Sequence, residues 1–257
     1  LSSADLRSEA VQQIDKPAAY AEKNGENTSF HGVVIDFEAL RSGQKANFTL
    51  FLQELRSAMG ASPIYVAVHP VMQGSAHYDG YDYASIGRIA DRVILMAYDY
   101  DPASLTDTEM AQGYTMTPMA PLNQVYIAIN ACLDGGIPAN KLLLGLSMDT
   151  VQWKLQNGAV INKTPYHPAY DAVSSRLATG CQISYPNYSY VPYASYTNAQ
   201  DNTQNILWYE DERSIAAKAE LARLMGIRGL SLWRLGTIPV DSANGLNIWN
   251  AADQAVK

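Results

Sequence analysis

Short apolar runs alternate with helical patterns along most of the chain. The runs are nearly continuous in Val, Ile and Leu, which is typical of strands that are buried on both faces of a parallel sheet. The predicted strands are residues 32–38, 64–69, 93–98, 142–147 and 230–233. Because helical patterns separate them, the sequence predicts an α/β fold built from βα units.

The predicted helices have apolar positions three and four residues apart. They cover residues 47–59, 83–90, 121–133, 214–225 and 247–256. Gly135-Gly136 and Pro138 predict the end of the third of these helices. The first thirty residues are predicted to be helical in two pieces, broken at Pro17 and without a strand.

Residues 150–206 interrupt the alternation, since they are rich in tyrosine and in turn-forming residues. A structureless loop of that length is unusual in a compact domain, so we expect a small inserted α+β subdomain. Five tyrosines lie between Tyr185 and Tyr196. Two interpretations of them stay open, a half-buried sheet surface and platforms on which sugar rings stack.

Composition excludes several classes of protein. The chain has 18 basic and 25 acidic residues, a net charge of −7, which argues against binding to nucleic acid. No window has the roughly 18 to 20 consecutive apolar residues that a membrane span needs. Cys132 and Cys181 are the only cysteines, too few for a disulfide scaffold, and we expect two free, mostly buried thiols.

Polar and aromatic side chains stand where the predicted strands end. Asp36 and Glu38 end the first strand, Tyr98 and Asp99 the third, and Trp233 the last. In a parallel barrel the active site lies at the carboxyl ends of the strands. These residues are therefore expected to converge on one rim of the sheet.

Asp36 and Glu38 are the candidates for acid–base chemistry. Two residues apart on a strand, their side chains share a face at about 6.5 to 7 Å of backbone separation. Two carboxylates that close between apolar strands do not both ionise easily, so the pKa of one is expected to rise. A raised pKa allows a carboxyl group to serve as a general acid.

Three motifs in order resemble glycoside hydrolase family 18, the chitinase family. HGVVIDFE at 31–38 resembles the family's fourth-strand pattern D-G-x-D-x-D-x-E, and LMAYD at 95–99 resembles its sixth-strand motif M-x-Y-D. WYEDERS at 208–214 and GLSLWRLG at 229–236 are similar to the seventh helix and eighth strand of its bacterial spore-cortex branch. The resemblance implies a TIM (β/α)8-type barrel over residues 1–257, with residues 150–206 inserted before the last helix and strand.

The resemblance also implies a substrate-assisted retaining mechanism on glycans that contain N-acetylglucosamine. Glu38 is the expected acid and base, Asp36 orients the acetamido group of the substrate, and Tyr98 binds its oxygen. Asp99 and Met96 shape the same pocket, and Trp233 forms its floor. No cofactor or metal is expected.

Two positions depart from the family pattern, since His31 and Val34 replace aspartates. Val34 removes one carboxylate next to Asp36, which should therefore titrate more simply. The spore-cortex branch commonly lacks that aspartate as well. His69 has no counterpart in the pattern and is expected to be a core or rim histidine, and Glu210-Asp211 is expected to cap the helix after it.

The length of the chain suggests a partial barrel. Five strands are visible where a closed barrel has eight, and they correspond to the family's fourth to eighth strands. At roughly 34 residues a unit, three more units need about 100 residues. An open sheet exposes two edges, which proteins avoid. We expect the missing strands to come from a longer parent chain or from another copy.

Three functions compete at this point. The first is a glycosidase that cleaves β-1,4 bonds beside N-acetylglucosamine in peptidoglycan or chitin type glycans. The second is a non-catalytic, glycan-binding chitinase-like lectin, and the presence of Glu38 argues against it. The third is a metal-dependent hydrolase, which the absence of paired histidines makes weak. The acidic pI near 5.0 and the resemblance favour a secreted or envelope protein of a bacterium.

Overall fold

The chain divides into two compact units. The first comprises residues 1–96 and 128–143, and the second comprises residues 97–127 and 144–257. The structure, a computed structural model, describes residues 1–15, 32–70, 79–238 and 243–255. The predicted second helical piece of the first thirty residues and the motif position His31 lie outside this part of the chain.

The first unit contains parallel strands with helices between them. Strand β1 pairs with β2 and β2 pairs with β3, in a register that places Ile35 opposite Val66 and Val68 opposite Leu95. Its elements are α1 (Ala4–Asp15), β1 (Val33–Ile35), α2 (Lys45–Met59), β2 (Ile64–Val68), α3 (Tyr83–Ile89) and β3 (Arg92–Leu95).

Helix α2 forms because its apolar residues lie on one face. Phe48, Phe51, Leu52 and Leu55 follow the three-and-four spacing of a helix, and all are fully buried. Burial of each such side chain contributes about 1.5 to 3 kcal/mol. The helix ends at Gly60, whose φ of 55° is in the left-handed region that glycine adopts at little cost.

Helix α5 (Leu122–Asp134) begins in the second unit and ends in the first. Its predicted end at the glycine pair is confirmed, since Gly136 has a φ of 99°. A side chain on Gly135 would have its Cβ 2.6 Å from Cδ2 of Tyr83, so the turn also needs a small residue for packing. Cys132 is buried beside this turn, and burial raises the pKa of its thiol to about 12.

The second unit also contains a parallel pair of strands. Strand β10 runs parallel to β4, with Leu230 opposite Leu144 and Trp233 opposite Ser147. Both predicted strands are confirmed to the residue. The elements outside the antiparallel sheet described next are α4 (Asp107–Ala111), β4 (Leu142–Ser147), α7 (Glu212–Leu224), β10 (Leu230–Trp233) and α8 (Ile248–Ala255).

An antiparallel sheet and one helix follow β4, as the α+β prediction for this region requires. The sheet has five strands in the order β6-β5-β9-β8-β7. That residues 150–206 form a subdomain with those boundaries stays a prediction. The elements are β5 (Val151–Gln156), β6 (Ala159–Val160), α6 (Tyr170–Leu177), β7 (Gln182–Ser184), β8 (Tyr193–Thr197) and β9 (Gln204–Trp208).

Two buried tryptophans form the core beneath this sheet. Trp153 donates its indole N–H to Oγ1 of Thr117 at 2.7 Å, and Trp208 donates to the carbonyl of Thr115 at 2.6 Å. The ring of Tyr193 packs 4.8 Å from that of Trp208. A buried indole needs such a partner, because an unpaired N–H away from water destabilises the fold.

The tyrosine-rich segment is mainly structural. Tyr185 donates a short hydrogen bond to the carboxylate of Asp211, and its ring lies 4.3 Å from the guanidinium of Arg213. Tyr190 lies on the same guanidinium at 5.6 Å. Tyr188 is exposed. The half-buried interpretation therefore fits Tyr185, Tyr190 and Tyr193, whereas Tyr188 leaves the sugar-stacking interpretation open.

The strands are shorter than predicted, and their burial is not uniform. β1 ends at Ile35 and β3 at Leu95, so the polar residues that follow lie beyond the ladders. The expectation of burial on both faces is wrong for β1, where Val34 is 58% exposed, and for β10. Among the described residues each of these strands is paired on one side only, which leaves its other side open to solvent.

The start of α7 confirms one predicted cap and corrects another. Asp211 caps α7 as predicted, because its carboxylate accepts from the Ser214 N–H at 2.8 Å. Glu210 does not cap, since it lies against the buried ammonium of Lys218 instead.

No helix within the described ranges is long and apolar enough to cross a membrane.

Candidate active site

Asp36 and Glu38 follow β1 directly, on the segment where the strand leaves the ladder. Phe37 lies between them and packs against Phe48 and Phe51 of α2, with ring centroids 5.8 and 5.3 Å apart. Because side chains alternate along extended backbone, the carboxylates on either side of Phe37 point away from that cluster. The hydrophobic contact of Phe37 thus determines which way the two acids face.

A second aromatic pair, Tyr83 at the start of α3 and Tyr81 just before the helix, holds this segment in place. Tyr81 donates to the carbonyl of Phe37 at 2.8 Å, and Tyr83 donates to the carbonyl of His69 at 3.2 Å. The two tyrosine rings stack at 6.4 Å. The ends of β1 and β2 are therefore tied to one rigid aromatic element.

His69 lies beside Glu38, a relationship that the sequence did not predict. Its Nε2 is 3.4 Å from Oε2 of Glu38. One feature of the sequence could have indicated this contact, because each residue follows the end of a strand and the two strands, β1 and β2, are neighbours. A motif comparison missed it because the family pattern has no histidine at that place.

The predicted rise in the pKa of one carboxyl falls on Asp36. Partial burial raises this pKa, the charge of Glu38 raises it further, and His69 opposes both. The expectation that apolar strands enclose the two acids is wrong, because Asp36 and Glu38 are both exposed. The strand ends before them, so they lie past the buried part of the sheet.

A cavity of about 480 Å³ opens beside the two acids in the first unit. It is lined by Leu1, Ser2, Asp36, Phe37, Glu38, Leu40, Gln44 and Asn47. Both carboxylates thus border a concave space. Met96, a predicted pocket residue, also belongs to this unit, is 6% exposed and donates its N–H to the carbonyl of Val68 at 3.0 Å.

Tyr98 and Asp99 belong to the second unit, just after β3. Tyr98 is half-buried and Asp99 is exposed. Asp99 has a φ of 60°, a left-handed conformation that aspartate adopts more readily than most residues. Backbone in such a conformation is common at functional sites.

Trp233 ends β10 and is 47% exposed. Its carbonyl accepts from the N–H of Met148 at 2.8 Å, which ties it to the end of β4. An apolar ring held half in solvent at the end of a parallel strand is available to a ligand. The sequence predicted the position of Trp233 at the end of this strand, and its role as the floor of the pocket stays a prediction.

Asp101, Asp149 and His167 are polar neighbours that the sequence analysis did not single out. They border a cavity of about 300 Å³ together with Asp99. Burial raises the pKa of Asp101, and the charge of Asp149 adds to this effect. Nδ1 of His167 lies 2.7 Å from the carbonyl oxygen of Thr150, so in this hydrogen bond the imidazole donates and the carbonyl accepts.

A larger cavity of about 840 Å³ lies beside the ends of β4 and β10 in the second unit. Asp149 and His167 line it as well, so the two cavities of this unit share residues. Its other polar lining residues include Thr150, Asp171 and Arg234. A pocket of this size can hold a small-molecule ligand.

Two acids follow one parallel strand, and a half-exposed tryptophan ends another, an arrangement that suits the class of α/β glycoside hydrolases. The model of the family described as Glycosyl hydrolases family 18 matches residues 5–237. The chain belongs to this family.

The chain is similar to proteins that act on spore cortex and to chitinases. It is 28% identical over 222 residues to the cortical fragment-lytic enzyme of Bacillus subtilis (strain 168), a match that covers 83% of this chain and 48% of that enzyme. The spore cortex-lytic enzyme SleL of Bacillus megaterium QM B1551 has a TM-score of 0.75 at 24% identity, over 99% of this chain and 54% of that one.

A chitinase from Chromobacterium violaceum ATCC 12472 has a TM-score of 0.74 at 25% identity, and the match covers 98% of this chain and 72% of that one. These likenesses confirm the predicted fold class, an α/β fold of the TIM-barrel type. The chain spans about half the length of the spore cortex-lytic relatives that it matches.

Proposed function

We propose that this chain carries the acid–base half of a glycosidase that cleaves β-1,4 linkages next to N-acetylglucosamine. The observation that carries the proposal is the pair Asp36 and Glu38 bordering a cavity, in a chain of family 18. The glycans are of the peptidoglycan or chitin type. The names of the relatives, a cortical fragment-lytic enzyme and chitinases, support both.

Glu38 serves as acid and then as base. In the first step it gives its proton to the glycosidic oxygen while the bond from that oxygen to the anomeric carbon breaks. The acetamido oxygen of the substrate forms a bond to the anomeric carbon, which gives an oxazolinium ion. In the second step a water molecule attacks that carbon, its proton returns to Glu38, and the bond to the acetamido oxygen breaks.

Asp36 and Tyr98 serve the acetamido group. Asp36 accepts a hydrogen bond from the acetamido N–H and stabilises the positive charge that develops on it. Because the charge of Glu38 helps to raise the pKa of Asp36, the pair shares a proton more readily than two separate acids. Tyr98 donates to the acetamido oxygen and directs it toward the anomeric carbon.

Three side chains shape the pocket around the sugar. Trp233 presents an aromatic face on which the apolar face of the sugar packs. Asp99 binds hydroxyl groups of the sugar, and Met96 fills the base of the pocket. That these residues meet the acids in one site is part of the proposal.

The open sides of β1 and β10 support a further part of the proposal. Val34 is exposed in β1, and Leu235, just after β10, is 84% exposed. Apolar side chains on unpaired strand edges favour association with more strands. We infer that additional strands of the parent protein, or of a second copy, cover them. Light scattering measures the oligomeric state of the chain, and hydrogen exchange measures the protection of the amides in β1. A monomer in which these amides exchange slowly would contradict the inference.

The proposed place of action is outside the bacterial cytoplasm, on the envelope or on an extracellular polymer, because the proposed substrates are found there. Fractionation of the producing cells tests this part of the proposal. Recovery of the protein from the cytoplasmic fraction alone would contradict it.

Hydrolysis by the full-length protein tests the function. The substrates are a soluble N-acetylglucosamine oligomer and purified peptidoglycan, and the variants are Glu38→Gln and the control Glu220→Gln. Glu220 is an exposed residue of α7 that pairs only with Arg223 among the described residues. We expect loss of about 100-fold or more in Glu38→Gln and no loss in the control. Equal binding without hydrolysis by the wild type would favour the lectin alternative.

A further inference from the structure

We propose that His69 is a positioning residue for Glu38. Its imidazole holds one oxygen of the Glu38 carboxyl group, so that the other oxygen carries the proton toward the glycosidic bond. The inference rests on the proposed role of Glu38 and adds a residue that the family pattern does not contain.

The strand register brings the two residues together. Ile35 of β1 lies opposite Val66 of β2, and Glu38 and His69 each follow three residues later. Continuation of that register places Glu38 beside His69. The distance of 3.4 Å from Nε2 of His69 to Oε2 of Glu38 agrees with this placement.

His69 is the better anchored of the two side chains. Its side chain is 17% exposed, whereas that of Glu38 is 59% exposed. Tyr83 donates to the carbonyl of His69 at 3.2 Å and fixes the backbone that carries the imidazole. A flexible, exposed carboxylate thus lies against a fixed ring, and the contact restricts the rotamers of Glu38.

The groups that act electrostatically on His69 are Asp36 and Glu38, both from the segment after β1. Tyr83 contacts it from α3. Burial lowers the pKa of His69, while the charges of Glu38 and Asp36 oppose this effect. A proton on Nε2 of a neutral imidazole would face Oε2 of Glu38, 3.4 Å away, and would leave the other carboxylate oxygen free for the substrate.

Kinetics of the full-length protein test the role. In His69→Ala we expect kcat to fall about 10- to 100-fold while KM changes by less than about 2-fold, because substrate contacts remain. His69→Gln keeps an N–H donor and should recover most of kcat.

A titration of His69 by NMR separates this inference from the proposed function. In Glu38→Gln the midpoint for protonation of His69 should fall, because the variant lacks the negative charge that favours the cation. This result requires no catalysis, so inactivity of the wild type on every glycan would contradict the function and leave the contact confirmed.

Two results would overturn the inference. One is an unchanged kcat in His69→Ala. The other is a His69 midpoint that is the same in wild type and Glu38→Gln. If His69→Ala fails to fold, judged by circular dichroism, the comparison of folded His69→Gln with wild type decides the kinetic part. A kcat near that of the wild type supports the positioning role, and a loss as large as that of Glu38→Gln contradicts it.

Discussion

The ammonium of Lys218 donates to both carboxylate oxygens of Glu210, at 2.7 Å and 2.6 Å, and both residues are 1% exposed. The hydroxyl of Ser214 donates to the same carboxylate at 2.5 Å. Tyr170 of α6 and the backbone N–H of Glu210 are hydrogen-bonded at 3.0 Å. The pair therefore connects α7 to the segment that carries α6.

We expect Lys218→Met to lower the free energy of unfolding by about 3 to 5 kcal/mol, because it leaves a buried carboxylate without its partner. Urea denaturation at pH 7 measures this. The double variant Glu210→Gln with Lys218→Met should recover most of the loss. The control Arg223→Met breaks an exposed pair on the same helix and should change stability little. A loss in the control as large as in Lys218→Met would refute the role of burial.

Gly80 lets its own loop approach the loop that contains Leu40 and Arg41, next to the proposed active site. A Cβ at this position would lie 2.6 Å from two atoms of Leu40 and 2.8 Å from the backbone nitrogen of Arg41. We expect Gly80→Ala to displace the segment after Glu38, to lower stability by about 1 to 3 kcal/mol and to reduce kcat. Thermal unfolding and kinetics measure the two effects.

Gly43 offers the matched control for this change. A Cβ there would meet nothing within 4 Å, so Gly43→Ala should leave stability and kcat nearly unchanged. If the two alanine variants behave alike, the close approach of Gly80 to Leu40 does not hold the segment.

Asp82 caps α3 and should make stability depend on pH. Its carboxylate accepts from the N–H of Ser85 at 3.0 Å and from the hydroxyl of Ser85 at 2.7 Å, and these bonds lower its pKa. A lowered carboxyl pKa means that the stabilisation is present above the unfolded pKa near 3.9 and is lost as the pH falls through the folded one.

We therefore expect Asp82→Ala to cost about 1 kcal/mol at pH 7 and progressively less below about pH 4. Asp82→Asn keeps a capping oxygen and should cost little at pH 7, with no such pH dependence at low pH. Urea unfolding at pH 7 and pH 3 measures both. A cost for Asp82→Ala that is the same at the two pH values would contradict the contribution of the charge.

Trp233 should matter for catalysis more than for folding. Because the ring is half-exposed, Trp233→Ala removes little buried area, but it removes the proposed platform for the sugar. We expect kcat/KM to fall about 100-fold with a small change in melting temperature. Trp249→Ala is the control, since Trp249 of α8 is 42% exposed. Equal losses in the two variants would contradict the specific role of Trp233.

Much of the site could be located from the sequence. Asp36, Glu38, Tyr98 and Asp99 follow parallel strands and Trp233 ends one, and the apolar run before each of them indicates that strand. Such runs are contiguous in sequence, so their period is visible without knowledge of the fold. The family motifs rest on the same contiguous residues.

The contact of His69 with Glu38 and the pairing of Glu210 with Lys218 could not be predicted in this way. Glu210 precedes a helix, where a carboxylate commonly caps, and Asp211 next to it takes that role instead. Which of two adjacent acids caps depends on backbone direction at the helix start. Lys218 then meets Glu210 because both face the interior, Lys218 from α7 and Glu210 from two residues before it.

By itself the sequence determined the α/β alternation, the strands that the candidate acids follow and the cap of α7, because each depends on residues that are neighbours along the chain. The tertiary structure decided that His69 lies against Glu38, that Asp36 is the acid whose pKa rises, and that Val34 is exposed. These depend on strand register and on burial by distant segments, and a linear pattern contains neither.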